Sequence, residues 1–376
     1  MKSLYKKYRD TIALVFLVVF SSFVLWLPFI NQNIAQRVLT KNVDTGYVYR
    51  NFDGPLYIVA AKSLYDPSII KSLQLETSLP ESYFAAHLPL YPLSIRLFAP
   101  IMGYLKATIF TTLLFTVLLT LLFYHVVRRF KITRHPFVLT AVFLFLPRFL
   151  VIRGIGAPES LFMLTILGSL FAFEKKQYAL AGFLGGLATM TKLPGILLFP
   201  AFVLALIETY RKTRTFEAKT VFLLLTPAGL LAVCLLYLRQ YGDFFAYWHT
   251  DYVVPMPYPF AAFNYAARWV GTSWLEDVVL YFFLYTSTVV YLKDSKYRSF
   301  FYFSLVFMGG LLFVQHRDIS RYSMPLWPLT AIAFETFFTS KKFLVVCLVL
   351  LPAIYLYAWN FMVTNVMPVS NWAPFM

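Results

Sequence analysis

Charge is scarce in this chain: Asp, Glu, Lys and Arg make up 13% of its 376 residues, against 60% hydrophobic. A soluble domain carries about 25% charged residues, so too few are present to coat a water-exposed surface. Acidic residues are rarer still, 17 against 33 Lys and Arg, which leaves a net charge of +16. In a soluble chain that excess would suggest nucleic acid. Here the basic residues form short clusters between apolar runs, with no basic stripe and no RNA-binding module, and nucleic acid is not expected as a partner. The two cysteines, Cys234 and Cys347, both lie in apolar stretches and make neither a disulfide framework nor a metal cluster. Also missing are a phosphate-binding glycine loop, a serine nucleophile elbow and a zinc-binding His-Glu-x-x-His. No internal repeat is apparent.

What is present is a succession of apolar runs at a mean hydropathy of +0.68. The expectation is one all-α polytopic membrane domain over residues 1–376, with about eleven spans. These read Thr11–Ile30, Ala107–Val127, Pro136–Ile152, Ser160–Phe173, Tyr178–Met190, Pro194–Tyr210, Val221–Leu238, Asp277–Leu292, Phe300–Val314, Tyr322–Phe338 and Phe343–Phe361. The first is too long for a cleavable signal peptide and lacks a cleavage site, so it reads as an uncleaved span. With the N-terminus in the cytoplasm, 19 of the 33 Lys and Arg fall in short cytoplasmic segments such as Arg128–Arg134 and Arg211–Lys219, as the positive-inside rule requires. His87–Gly103 is broken by Pro89, Pro92 and Pro100 and reads as an interfacial or re-entrant helix. Residues 31–106 then form one large extracytoplasmic loop, and residues 239–276 a second one rich in aromatics (Phe244, Phe245, Tyr247, Trp248, Tyr252, Tyr258, Trp269, Trp274). Shorter outer turns carry Arg153–Glu159, Lys192 and His316–Arg321. Binding residues favour loops on a rigid scaffold, which points to the outer face.

Several clusters there carry chemistry, each beside a plainer reading. Asp53, in Asn51-Phe52-Asp53-Gly54-Pro55-Leu56-Tyr57, suits a helix N-cap; it also suits a general base at the membrane surface. His316-Arg317-Asp318-Ile319-Ser320-Arg321-Tyr322 crowds ionisable groups at a membrane boundary, which is costly and usually functional. An Arg–Asp ion pair stapling two helices is its plainer reading. Arg317 and Arg321 are four apart and would share one face of a helix, well shaped to grip phosphate oxygens. Lys192 either snorkels or meets an anionic head group. Glu159 suits a helix N-terminus, and His87 an ordinary interfacial residue.

In order along the chain, Phe52–Tyr57, His87–Pro92 (His-Leu-Pro-Leu-Tyr-Pro), Ala157–Phe162, Thr191–Gly195 and His316–Tyr322 resemble motifs of the GT-C glycosyltransferases. Within them the pattern is similar to that of the GPI second-mannose transferase family and its prokaryotic relatives. Phe52, Leu88 and Lys192 stand where those relatives commonly carry Trp, an aromatic residue and Arg. The resemblance implies transfer of a sugar, mannose or another hexose, from a polyprenyl-phosphate donor to an acceptor hydroxyl on a lipid-linked or other acceptor, outside the cytoplasm. The transfer would invert the anomeric centre, with Asp53 as general base. Arg317, Arg321 and Lys192 would bind the donor phosphate; His87, Tyr57, Tyr91, His316, Asp318 and Glu159 would position substrate. No cofactor is expected, while a divalent ion near Asp53 stays open. A transporter or flippase of a lipid-linked saccharide is the alternative, and a non-catalytic scaffold is a third reading.

Overall fold

A computed structural model describes residues 2–76, 79–250, 255–267, 270 and 275–376, with side chains from residue 8 onward. Tyr252, Trp269 and Trp274 of the expected aromatic segment lie outside the described residues. Among those described the chain is helical, and its β pairing is confined to two isolated bridges, Asn51 with Val366 and Pro255 with Val314. Five helical stretches are long and apolar enough to cross a bilayer: Tyr8–Ile30, Tyr104–Arg129, Leu193–Thr213, Ala218–Tyr241 and Lys341–Thr364. Their outward side chains are apolar; on the last, Leu348 and Val349 are 70% and 71% exposed. Faces of that kind suit a lipid solvent and not water. The protein is an all-helical integral membrane protein.

Several expected spans match single helices, among them Glu159–Glu174, Tyr178–Thr191, Glu276–Leu292 and Arg298–Leu311. Two do not. The run Pro136–Ile152 is split into Pro136–Phe143 and Pro147–Ile152, because the residue before a proline avoids the helical region and Leu146 is extended at φ −56°, ψ 124°. The run Tyr322–Phe338 is split into Met324–Leu326, Trp327–Ala333 and Glu335–Phe338, with Pro325 and Pro328 each opening a new start. Helix Leu90–Met102 has 13 residues and is about 20 Å long at 1.5 Å per residue, short of the ~30 Å hydrocarbon core.

The chain divides into two compact units, Met1–Leu164 with Glu335–Met376, and Thr165–Phe334. In the first, Lys2–Ile30 packs on Tyr104–Arg129, Gly54–Ser63 on Leu90–Met102, and Pro147–Ile152 on Lys341–Thr364. Tyr57, Ala61, Tyr91, Ile95, Ala99, Ala107 and Leu161 form a core beneath the Gly54–Ser63 helix. Arg153, expected in an outer turn, is instead wholly buried against the middle of the first span. There its guanidinium donates to Ser22 Oγ (3.1 Å) and Ser21 Oγ (2.9 Å). Serine hydroxyls are among the few acceptors that an apolar helix can offer a buried cation.

In the second unit, Tyr178–Thr191 crosses Leu225–Tyr241 at glycines. A Cβ on Gly229 would stand 2.4 Å from the Gly186 carbonyl oxygen, and one on Gly182 2.0 Å from that of Phe222. Small residues at such a crossing let the two backbones touch, the usual basis of helix association in lipid.

Candidate functional site

The proposed base sits on a turn that is strained and clamped. Phe52 has φ +50°, a left-handed conformation that costs a bulky L-residue about 1–2 kcal/mol. Its N–H donates to the Asn365 carbonyl (3.1 Å), and the Asn51 amide donates to that of Met362 (2.6 Å). Its ring stacks on Phe361 at 5.5 Å. Arg148, 3% exposed, lays its guanidinium 4.1 Å from the Phe361 centroid and 5.0 Å from that of Phe52.

Asp53 follows, in the N-cap position of Gly54–Ser63. The plain reading of its sequence is a capping carboxylate, yet the side chain makes no capping hydrogen bond to that helix. Pro55 in the first turn supplies the helix start instead. Asp53 is half-buried, and its charge helps burial to hold the Tyr83 hydroxyl above its ordinary pKa, burial being the larger cause.

One turn along the same helix Tyr57 is buried, its ring edge-on to His87 (4.8 Å) and to Tyr91 (5.0 Å). Tyr65 donates to the His87 carbonyl at 2.5 Å, fixing the backbone of that residue. The Tyr91 hydroxyl meets Thr112 Oγ1 at 2.7 Å, and Thr112 bonds the Ala157 backbone at 3.2 Å. Two residues further, Glu159 is buried at the N-terminus of Glu159–Glu174, where the helix dipole favours a negative charge. Gly54 and Gly156 hold these pieces together. A Cβ on Gly156 would stand 3.3 Å from Gly54 Cα and 2.4 Å from Thr108 Cγ2, so neither glycine has room for a side chain. Asp53, Tyr57, His87, Tyr91 and Glu159 thus belong to one connected assembly in the first unit.

The expected cations lie in the second unit. Lys192 ends Tyr178–Thr191 in an extended conformation, and the chain turns back at once. That turn requires glycine at 195, whose Cβ would be 2.5 Å from the Ala188 carbonyl carbon. The Lys192 ammonium then stands 5.5 Å from the Tyr322 ring centroid, and Tyr322 also packs on His316 at 4.8 Å. His316 Nδ1 accepts the Asp318 N–H (2.9 Å), which places the proton of the neutral ring on Nε2.

The expectation that Arg317 and Arg321 share a helix face is corrected. The helix is only Ile319–Tyr322, and Arg317 precedes its N-cap. Asp318 makes that start, its carboxylate accepting from Arg321 N–H (3.3 Å) and Ser320 Oγ (2.8 Å). Arg317 is exposed, whereas Arg321 is buried at 7%. Among the described residues no group of three or more His, Cys, Asp or Glu could hold a metal ion.

Three features of the first unit escaped the sequence reading. Arg148 looks like one more cation in an apolar run, and its partners are far away in the chain. Asn365 and Met362 clamp the Phe52 turn from the end of Lys341–Thr364 and the residue after it. Thr108, Thr112, Thr116 and Thr120 recur every four residues on Tyr104–Arg129 and are all buried. That spacing was a legible signal of a polar stripe on one helix face.

No family model matches the chain, and no curated protein matches it by sequence. Solved structures match it by fold. The crystal structure of the Archaeoglobus fulgidus oligosaccharyltransferase tethered to an acceptor peptide containing the NVT sequon superposes with a TM-score of 0.52 at 13% identity, over 98% of this chain and 57% of that one. The apo form of the same enzyme gives 0.54 at 15%, over 98% and 58%. The chain therefore shares a fold with these structures, and it spans little more than half the length of these neighbours.

Proposed function

We propose that this protein is a membrane glycosyltransferase that moves one sugar from a polyprenyl-phosphate donor to an acceptor hydroxyl on the extracytoplasmic side. The observation that carries the reading is Asp53, a half-buried carboxylate directly after the clamped, strained Phe52. Strain of that kind collects at functional sites. In the proposed reaction Asp53 takes the proton of the acceptor hydroxyl. The oxygen attacks the anomeric carbon from the face opposite the phosphate, the glycosyl–phosphate bond breaks, and polyprenyl phosphate leaves with inversion at the sugar. A phosphate leaving group needs no acid, only cations for its charge, so a single carboxylate suffices, unlike the pair that glycoside hydrolysis uses.

Lys192 and Arg321 take the phosphate role, with the exposed Arg317 a peripheral contributor. His316, through Tyr322, and Asp318, through the helix it caps, position those cations. Tyr57, His87 and Tyr91 form the wall beside Asp53, and Glu159 anchors the turn behind it. The motif pattern favours mannose as the sugar.

The test is mass spectrometry of products after the purified protein meets a panel of polyprenyl-phosphate hexoses and extracted lipid acceptors. The expected result is an acceptor heavier by one hexose. Movement of labelled donor across sealed vesicles with no change in any mass would replace transfer by transport.

A further inference from the structure

The first two long spans, Tyr8–Ile30 and Tyr104–Arg129, pack along each other. A cavity of about 480 Å³ lies where the start of the one meets the end of the other, between Thr11 and the stretch 121–131. It is far from the Asp53 assembly. Thr108, which meets Gly156 there, and Arg128 are about twenty residues apart on one helix, or about 30 Å at 1.5 Å per residue. Arg128, Arg129 and Lys131 line the cavity, with Tyr124 and His125. Among the described residues its lining includes no carboxylate. Asp10 stands beside it, accepting the Tyr124 hydroxyl at 2.7 Å, and is balanced by Arg9 at 3.3 Å. Three cations therefore face one space in excess. Basic residues end many membrane spans for topological reasons and need no ligand. A basic pocket between two such helices is different, because its shape suits an anionic head group.

Two of the cations are held in place. The Arg128 guanidinium lies 5.4 Å from the Tyr124 centroid, and the bond to Asp10 fixes that ring in turn. A guanidinium held flat in this way is pre-organised to grip phosphate oxygens. Lys131 follows the C-cap Phe130 and has φ +52°. Its N–H and that of Ile132 close the helix on the Arg128 (3.1 Å) and Val127 (3.0 Å) carbonyls. Helix ends of this kind favour glycine, and a long side chain there is strained. Glycine would relieve the strain and take a positive charge out of the cavity. The surroundings identify the source of the anion. Leu118, Leu121, His125 and Arg128 recur every three or four residues and share one helix face, on which Leu118 is exposed. On the first span Ile12, next to Thr11, and Phe16 are exposed as well. Apolar faces thus lead away from the cations into the hydrocarbon, where an acylated anion has use for them and a free one has none.

We infer that this cavity seats the phosphate of an anionic membrane lipid, at the end of the two spans away from Asp53, with the acyl chains along their exposed faces. The lipid would tie the two helices together there, whether or not the protein transfers sugar. Native mass spectrometry of the purified full chain tests this by titration with phosphatidylglycerol, phosphatidic acid, phosphatidylcholine and inorganic phosphate. A basic group near a membrane surface is worth a factor of about five in binding, so the two anionic lipids should bind at least about tenfold more tightly than phosphatidylcholine. Inorganic phosphate at equal concentration should not displace them. Arg129→Gln with Lys131→Gln should abolish the preference. Lys341→Gln with Lys342→Gln, which removes the same charge from another exposed helix end, should keep it. Lys131→Gly removes the strain together with the charge. Its melting temperature without lipid should hold or rise while anionic-lipid binding falls about fivefold. Equal binding of phosphatidylcholine, equal loss in the two double variants, or undiminished binding in Lys131→Gly would overturn the assignment. Inorganic phosphate bound as tightly as the lipids would overturn it in favour of a free anion.

Discussion

Phe52 is held in a left-handed backbone conformation by a ring stack, two hydrogen bonds to the 362–365 backbone and the Arg148 guanidinium between two phenylalanines. Relaxing the clamp would let the turn revert to an ordinary conformation and swing the next residue, Asp53, away from its present position. A desolvated cation–π contact is worth about 2 kcal/mol, and each 1.36 kcal/mol is a factor of ten in rate. Arg148→Met, which keeps the volume and removes the charge, should therefore lower kcat for transfer about tenfold or more with little change in donor KM. Steady-state kinetics at varied donor concentration checks this. A rise in donor KM at unchanged kcat would mean that Arg148 binds donor and does not aim the base. The proposed base Asp53 and the proposed phosphate cations Lys192 and Arg321 were picked out by local motifs alone. The clamp was not, because Arg148, Met362 and Asn365 approach Phe52 only once distant helices have packed.

At the level of elements, apolar length and proline marked the helices well where lipid supplies the surroundings, as in Lys341–Thr364 and Tyr104–Arg129. They marked them poorly where protein does. The expected span Pro136–Ile152 is broken, and its second half is buried from Arg148 to Ile152. A break inside protein can satisfy its freed backbone groups, which a lipid-facing helix could not do. Hydropathy averaged over a window cannot tell the two surroundings apart. The threonine stripe is the counterpart, a polar seam on an apolar helix that ties Leu90–Met102 to the turn before Glu159. Thr112→Val keeps the shape and removes both the Tyr91 bond and the Ala157 bond. At about 1 kcal/mol per lost bond, and more for a polar group left buried, it should lower the melting temperature measurably in a thermal unfolding assay. An unchanged melting temperature would show that the seam is not structural.

At the scale of the whole molecule, hydropathy states most plainly that this is a helical membrane protein, and the archaeal oligosaccharyltransferase structures share its fold. The division of labour was less visible. The proposed base and its wall belong to one compact unit, Met1–Leu164 with Glu335–Met376, and the proposed phosphate cations to the other, Thr165–Phe334. The proposed reaction needs only one carboxylate, Asp53, for its proton transfer. Replacing Asp53 by Asn removes the base and keeps the size of the side chain. A melting temperature measured beside the rates separates loss of the base from loss of the fold. General-base catalysis is worth about 10²–10⁴ in rate. Sugar transfer by Asp53→Asn, measured by product mass under saturating donor and acceptor, should fall by that factor, and Asp53→Glu should recover part of it. Native transfer rates in Asp53→Asn would contradict the account.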